Sequence, residues 1–170
     1  MLHYNIQQLA KTLGQCLKQH EYYIATAESC TAGGLAYAIT MIPGSSAWFD
    51  RGFITYSNLS KHTILDIPHH TLNTYGAVSQ ETVIQMAENT LKKSMANIAL
   101  SISGIAGPQG GNLNKPLGTV YFGMAQKTIM TQATRRLFTG NRDNIRQQSI
   151  HFCLHWAIQR LYENTPKMQD

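Results

Sequence analysis

The stretch from Tyr23 to Ile39, YIATAESCTAGGLAYAI, decides the fold class of this chain. A short apolar run over 21–29 ends in the polar residues of ESCTAGG, and a second run of small and apolar residues over 31–42 stops at Pro43-Gly44. The first run predicts a buried strand, and the second predicts a helix that the proline and glycine terminate. A strand that leads directly into a helix is the building unit of α/β proteins.

The rest of the chain continues this alternation. Apolar residues spaced three and four apart predict helices over 5–20 and 80–93, and a polar start followed by apolar residues predicts a long helix over 139–162. The remaining predicted elements are strands over 48–57 (with a bulge at Gly52), 96–103, 118–126 and 129–138, a short helix over 58–67, loops over 68–78 and 104–118, and a frayed tail over 163–170. This order predicts an α/β protein of three α/β/α layers. Its mixed, mostly parallel sheet has about five strands, and the hairpin supplies one antiparallel member.

Length and composition suit a globular protein with one core. The chain has 170 residues, of which 43% are hydrophobic and 14% are charged, so we expect a single domain over 1–170 with its core over about 5–163. The three cysteines, Cys16, Cys30 and Cys153, are odd in number and show no C-x-x-C spacing. That pattern argues against a disulfide framework and against a zinc ribbon.

Charge and hydropathy restrict the partners. The formal net charge of +5 is spread over scattered lysines and arginines, without a basic arm or stripe, so no nucleic-acid partner is expected. The N-terminus lacks the apolar core of a signal peptide, and no stretch approaches the roughly 20 apolar residues of a membrane span. We therefore expect a cytoplasmic protein without a membrane partner.

The ESCTAGG turn is the first candidate site. Ser29 ends the predicted strand, and sites in open α/β sheets lie beyond the carboxyl ends of strands. The backbone amides of 30–34 could bind an oxyanion, and Gly33 and Gly34 would let a ligand approach the backbone. Cys30 ranks below Ser29 as a nucleophile, because no His–Asn arrangement follows it. The competing interpretation is that Ser29 or Thr31 only caps the helix.

The segment ITYSNLSK (54–61) supplies a possible base for this serine. If its strand neighbours the first one, Tyr56 and Lys61 come close to Ser29. A lysine can accept the serine proton when burial lowers its pKa, and a tyrosine hydroxyl can relay a proton or hold the geometry. The alternative is an ordinary solvent-facing lysine on a short helix.

The loop within SISGIAGPQGGNLNKPLG (101–118) is the third candidate. It carries five glycines but neither the G-K-[ST] ending of a P-loop nor the G-x-G-x-x-G spacing of a dinucleotide site. Long loops inside compact domains are usually functional, so we expect this one to wrap a ligand, with Lys115 able to reach a phosphate.

The C-terminal helix carries more apolar residues over 150–162 than one core-facing stripe needs. This face is either deeply buried or part of a subunit interface, and we expect a homo-oligomer through it. His151 and His155 stand four apart, as zinc ligands can, but no Glu or Cys joins them at ligand spacing. Packed or interface histidines are the favoured interpretation.

Three segments of the chain resemble the CinA C-terminal domain family. They are ESCTAGG (28–34), RGFITYSNLSKHTIL (51–65) and, between 76 and 123, GAVSQET…ISGIAGPQGG…KPLGTVYFG. The resemblance covers about residues 5–163. It implies a three-layer α/β/α fold with a mixed sheet and, since active members are nicotinamide-nucleotide amidohydrolases, hydrolysis of nicotinamide mononucleotide to nicotinate mononucleotide and ammonia. This reaction belongs to pyridine-nucleotide recycling, and no metal or organic cofactor is implied.

Site residues follow from the resemblance position by position. The family's catalytic serine, tyrosine and lysine fall on Ser29, Tyr56 and Lys61. The expected mechanism is attack by Ser29, with Lys61 either neutral or sharing a proton with Tyr56. The residues expected around the substrate are Cys30, Thr31, Gly33, Gly34, Asn58, Ser103, Gly104, Ala106, Gly107, Lys115 and Arg142.

Two features differ from other members of this family. Asn141 stands where the family often has aspartate before the last helix, although Arg142 and Arg146 remain. Longer members carry an additional N-terminal domain linked to ADP-ribose pyrophosphatase activity, which we expect this chain to lack.

The alternative functions are a non-catalytic nucleotide-binding or competence-associated module, and an amidase for another small molecule.

Overall fold

The computed structural model describes residues 2–163, with side chains described from residue 5 onward; the predicted frayed tail beyond 163 lies outside this range. The elements in chain order are α1 (Leu2–Gln19), β1 (Ile24–Glu28), α2 (Gly34–Thr40), β2 (Phe49–Ile54), α3 (Asn58–Leu65), α4 (His69–Thr74), α5 (Gln80–Lys92), β3 (Ile98–Gly104), β4 (Thr119–Gln126), β5 (Ile129–Leu137) and α6 (Arg142–Glu163). A short 3₁₀ turn, Ser45–Ala47, precedes β2.

The sheet has five strands in the order β2-β1-β3-β4-β5. Strand β1 pairs in parallel with β2 and β3, whereas β4 runs antiparallel to both β3 and β5. The mixed, mostly parallel sheet is thereby confirmed, with β4 as its antiparallel member. Glu28 at the end of β1 lies beside Ile54 and Ile102, so three strands end at the same edge of the sheet.

Helices cover both faces of the sheet, which confirms the three layers. Helices α1, α2 and α6 pack on one face, and α3, α4 and α5 pack on the other. Strand β3 shows how the alternation of a strand feeds both layers: Leu100 and Ile102 join the core beneath α1 and α6, whereas Ser101 points to α5 and donates from Oγ to the Val83 carbonyl at 2.6 Å. No helix within residues 2–163 is long and apolar enough to cross a membrane.

The prediction of a loop over 68–78 was wrong in part, because α4 forms there. The helix begins directly after Pro68 and buries Thr71 and Leu72 against the α5 side of the sheet. Six residues are too few to show a helical period in the sequence, and the tertiary burial of Leu72 stabilises the turn instead.

The predicted bulge at Gly52 was also wrong. The irregularity falls between Ile24 and Ala25, which pair with Phe49 and Arg51, and Gly52 pairs regularly with Thr26. A Cβ atom on Gly52 would lie 2.9 Å from Thr26 Oγ1 and close to α2. The glycine therefore serves the close approach of α2 to the sheet rather than a bulge.

The apolar face of α6 is buried inside the chain, against α1 and the sheet. Its buried residues are Ile145, Ser149, Ile150, Cys153, Leu154, Trp156, Ala157, Ile158 and Leu161. Deep burial, one of the two alternatives for this face, accounts for these residues. Assembly of copies through α6 stays a prediction.

Candidate active site

Ser29 and Lys61 meet at the carboxyl end of β1. The Nζ atom of Lys61 donates a hydrogen bond to Ser29 Oγ at 3.0 Å, and it also donates to the carbonyls of Thr55 at 2.8 Å and Tyr56 at 3.3 Å. Lys61 is fully buried and Ser29 is 8% exposed. The lysine is thus not the solvent-facing residue that the alternative interpretation described.

Helix α3 aims the lysine at the serine. Ser57 and Ser60 form a capping box, in which each hydroxyl accepts from the other residue's backbone N–H at 3.0 Å. This box fixes the start of α3 directly after β2, and Lys61 lies in the first turn of the helix. Because β2 neighbours β1 in parallel, that turn lies beside Ser29.

Burial sets the chemistry of Lys61. Loss of solvent lowers the pKa of Lys61 from 10.5 to about 8, and only a negative charge on the nearby Cys30 sulfur would oppose this shift. No carboxylate within residues 2–163 forms a salt bridge with Lys61. A substantial fraction of the lysine is therefore neutral near pH 8, and neutral lysine can accept the proton of the serine hydroxyl.

A cleft of about 220 Å³ opens over this pair. Its lining residues are Ser29, Cys30, Tyr56, Lys61, Ala77, Val78, Ser103, Gly104, Ala106 and Arg142. Eight of these ten were predicted site residues, whereas sequence reasoning missed Ala77 and Val78. Ala77 is held by the Ser103 hydroxyl, which donates to its carbonyl at 2.6 Å. The sequence signals for these two apolar residues were their place directly before Ser79, the N-cap of α5, and inside the GAVSQET segment that resembles the family.

Other predicted substrate residues lie outside the lining of the cleft. Lys115 donates from Nζ to the Tyr75 carbonyl at 2.8 Å. Asn58 is exposed at the start of α3, and Thr31 is fully buried. Gly107 follows the cleft residue Ala106 and accepts a hydrogen bond through its carbonyl.

Gly33 and Gly34 line a different and larger cavity behind the turn. This cavity has a volume of about 550 Å³ and lies between α1, α2 and α6. Neither Ser29 nor Lys61 belongs to its lining. The smaller cleft is the candidate active site, because it alone of the two contains a nucleophile beside a base.

The interpretation of Ser29 or Thr31 as a helix cap is wrong. The N-cap residue of α2 is Gly33, at φ 89°, and as a glycine it has no side chain that could cap the helix. The buried carboxylate of Glu28 accepts instead from the N–H groups of Leu35 at 3.0 Å and Ala36 at 2.8 Å.

The amides of the turn are only partly available to a ligand. The N–H of Ala32 donates to the Ser29 carbonyl, and the N–H of Gly34 donates to the Thr31 carbonyl, both at 3.1 Å. Within residues 2–163 the amides of Cys30, Thr31 and Gly33 donate to no other residue. The amide of Cys30, directly after the nucleophile, is therefore the foremost candidate donor to an oxyanion.

Tyr56 and Arg142 form the rim of the cleft. Arg142 donates from Nη2 to the Tyr56 hydroxyl at 3.0 Å and from Nη1 to the Gly107 carbonyl at 2.8 Å. The expected proton sharing between Lys61 and the Tyr56 hydroxyl differs from this geometry, since Lys61 contacts only the backbone carbonyl of Tyr56. The hydrogen-bond partner of the tyrosine hydroxyl is therefore Arg142 and not Lys61.

Cys30 is unsuited to act as a nucleophile. Burial raises the pKa of Cys30 from 9.0 to about 12, so the thiol stays protonated at neutral pH.

His151 and His155 border another hollow, of about 300 Å³, together with Phe138 and Phe152. Neither Ser29 nor Lys61 lines that hollow.

Comparisons with known proteins find relatives along almost the whole chain. The family model of the CinA C-terminal domain matches residues 6–161. Nicotinamide-nucleotide amidohydrolase PncC of Escherichia coli K12 is 45% identical over 160 residues, which cover 94% of this chain and 97% of that protein. The protein of the same name from Pseudomonas putida is 42% identical over 154 residues, covering 91% and 96%.

Solved structures of CinA-like proteins have the same fold as this chain. The competence/damage inducible protein CihA from Agrobacterium tumefaciens superimposes with a TM-score of 0.89 at 38% identity, covering 93% of this chain and 96% of that chain. The competence damage-inducible protein A from Klebsiella pneumoniae gives a TM-score of 0.91 at 30% identity.

Proposed function

The chain belongs to the CinA C-terminal domain family, and we propose that it hydrolyses the carboxamide of nicotinamide mononucleotide through an acyl-enzyme on Ser29. The relatives named nicotinamide-nucleotide amidohydrolase match almost the whole chain, and this supports the reaction. The observation that supports the mechanism most directly is the 3.0 Å hydrogen bond between Lys61 Nζ and Ser29 Oγ, in which the lysine is fully buried.

In the first half of the reaction Ser29 Oγ attacks the carboxamide carbon, and neutral Lys61 accepts the serine proton. The carbonyl oxygen becomes an oxyanion, which the Cys30 amide stabilises. Lys61 then returns the proton to the amide nitrogen, the C–N bond breaks, and ammonia leaves. A nicotinate ester on Ser29 remains.

Water completes the reaction. It attacks the ester carbon while Lys61 accepts a proton from it, and the second oxyanion collapses with loss of the Ser29 oxygen. The proton on Lys61 returns to Ser29, and nicotinate mononucleotide leaves. Removing one oxyanion donor in an enzyme of this kind costs on the order of 10²–10³ in rate, so the position of the Cys30 amide matters.

The cleft encloses one end of the substrate. Its volume of about 220 Å³ is below the roughly 300–1,000 Å³ of pockets that enclose whole drug-sized ligands. We place the nicotinamide ring inside it, over Ala77 and Val78, and the ribose phosphate toward the rim. Arg142, which donates a hydrogen bond to the Tyr56 hydroxyl there, is a cation at the rim that can bind a phosphate.

An ammonia-release assay on three substrates tests the proposal. Nicotinamide mononucleotide, nicotinamide riboside and nicotinamide share the carboxamide but differ in phosphate and ribose. We expect the mononucleotide to react with the highest kcat/KM. Equal rates for all three would contradict recognition of the phosphate, and binding of the mononucleotide without ammonia release would support a non-catalytic module instead.

A further inference from the structure

Glu28 is a buried carboxylate that the proposed mechanism does not use. It is the last residue of β1, and its side chain is only 1% exposed. Burying a carboxylate is costly unless hydrogen bonds or an opposite charge compensate. No salt bridge joins Glu28 to a cation within residues 2–163.

Two backbone donors compensate the charge of Glu28. Oε2 accepts from the N–H of Leu35 at 3.0 Å, and Oε1 accepts from the N–H of Ala36 at 2.8 Å. These amides belong to the first turn of α2, where the helix dipole also favours a negative group. Because Glu28 occupies both amides, the N-terminus of α2 does not offer them to a substrate anion.

The same contacts close the turn that carries Ser29. Glu28 directly precedes Ser29, and Leu35 directly follows Gly34, so the carboxylate ties together the two ends of a six-residue segment. Inside that segment Ala32 has a φ of 50°, a region that residues with a Cβ atom rarely adopt. A turn with such a residue needs neighbouring contacts to hold it in one conformation.

Two further contacts hold the turn from outside. Arg146 on α6 donates from Nη2 to the Thr31 carbonyl at 2.9 Å. The N–H of Ser29 donates to the Ile102 carbonyl of β3 at 3.0 Å. Neither of them links the two ends of the segment; among the described residues 2–163, only the bonds of Glu28 do so.

We propose that Glu28 is a positioning residue of the reaction: by closing the turn, it keeps Ser29 Oγ within hydrogen-bond reach of Lys61. The inference rests on the proposed function. Glu28 is not among the residues that line the cleft, and it acts through the turn alone. A carboxylate is required because both of its oxygens must accept, whereas a glutamine would present its NH₂ group to one of the two amides.

The test compares Glu28→Gln and Glu28→Asp with a matched control. Glutamine keeps the length but loses one acceptor, and aspartate keeps the charge but is too short to reach both amides. Misplacing a reacting group by about 1 Å can cost on the order of 10²-fold in rate, so we expect kcat to fall about 100-fold in both variants. KM should stay within about threefold and the pH midpoint of the rate should not move, because binding and Lys61 are untouched.

The control is Leu17→Ala, a fully buried residue of α1 outside the cleft. It should lower the melting temperature at least as much as the Glu28 variants while kcat stays near the wild-type value. Amide hydrogen exchange at Leu35 and Ala36 should accelerate in the Glu28 variants only. Labelling of Ser29 by a fluorophosphonate should slow in parallel with kcat.

Three results would overturn the inference. They are a folded Glu28 variant with kcat within threefold of the wild type, a rise in KM at unchanged kcat, or an equal loss of kcat in Leu17→Ala. If the wild type releases no ammonia from the mononucleotide, the proposed function fails on its own. The fluorophosphonate rates of the wild type and the Glu28 variants then still decide the role of Glu28.

Discussion

Lys61 Nζ and Ser29 Oγ lie 3.0 Å apart, although 32 positions separate the two residues in the chain. Parallel pairing of β1 with β2 brings the ends of both strands to one edge of the sheet, and the capped start of α3 turns the lysine inward. Burial of that lysine then lowers its pKa to about 8. Fold, contact and proton affinity together make this pair a nucleophile and its base.

The rate should depend on pH through Lys61. Below its pKa the lysine is protonated and cannot accept the serine proton, so kcat/KM should rise with pH and level off above a midpoint near 8. Lys61→Met should remove activity, whereas Lys92→Met, on the exposed side of α5, should keep the wild-type profile. A midpoint near 10.5 would mean that the lysine is not buried in the working enzyme.

Stability should also depend on pH through this residue. The folded-state pKa of about 8 lies below the unfolded value of 10.5, so the unfolded chain binds more protons between these pH values. Stability therefore rises with pH across this window, and the burial penalty is fully present below about pH 8. From pH 7 to pH 10 the wild type should gain about 2 kcal/mol relative to Lys61→Met. Urea denaturation of both proteins at both pH values measures this difference, and a constant difference would contradict it.

The Tyr56 hydroxyl should contribute to catalysis through its hydrogen bond with Arg142. Its observed partner is the guanidinium at 3.0 Å, and Lys61 contacts only the backbone carbonyl of Tyr56. Loss of a hydrogen bond to a charged group costs about 1.5–3 kcal/mol, so Tyr56→Phe should lower kcat/KM at least about tenfold. The pH midpoint should stay near 8.

A double-mutant cycle checks that assignment. Arg142→Gln should lower kcat/KM at least as much as Tyr56→Phe, because it also removes the cation proposed for the phosphate, and the double variant should be little worse than Arg142→Gln alone. Fully additive effects would show that the two side chains act separately. A shift of the pH midpoint in Tyr56→Phe would indicate that the hydroxyl shares a proton with Lys61 after all.

Cys30 should be dispensable for the chemistry. Its thiol is buried and its pKa is raised to about 12, so it is protonated when the enzyme works. Cys30→Ala should keep kcat within about threefold, and iodoacetamide at pH 8 should leave the folded wild type active. Rapid inactivation by iodoacetamide that Cys30→Ala prevents would contradict this.

The sequence could predict that Ser29 and Lys61 lie at one edge of the sheet, whereas their contact also requires β2 to neighbour β1, which the sequence left open. Parallel strands end at one edge of the sheet; Ser29 directly follows β1, and Lys61 lies in the first helical turn after β2. Tyr56, Ser103 and Arg142 reach the cleft for the same reason. The layers and the single antiparallel strand followed equally from the order of the elements.

Other features depend on contacts that no local pattern contains. Ala77 and Val78 line the cleft as apolar residues without chemistry of their own, so nothing in their type pointed to a site. Lys115 binds the Tyr75 carbonyl because of how the glycine loop folds back onto α4. The sequence did not predict that Glu28 binds the first turn of α2, because the helix begins at Gly34, three residues later than predicted.

Ammonia release by Ser29→Ala tests the central claim most directly. The variant lacks only the attacking oxygen, and a far-ultraviolet circular dichroism spectrum identical to that of the wild type would establish that it folds. With nicotinamide mononucleotide at saturation, we predict that kcat falls at least about 10³-fold, as it does when other serine hydrolases lose their nucleophile. Ammonia release at a rate near that of the wild type would contradict the assignment of Ser29 and the acyl-enzyme with it.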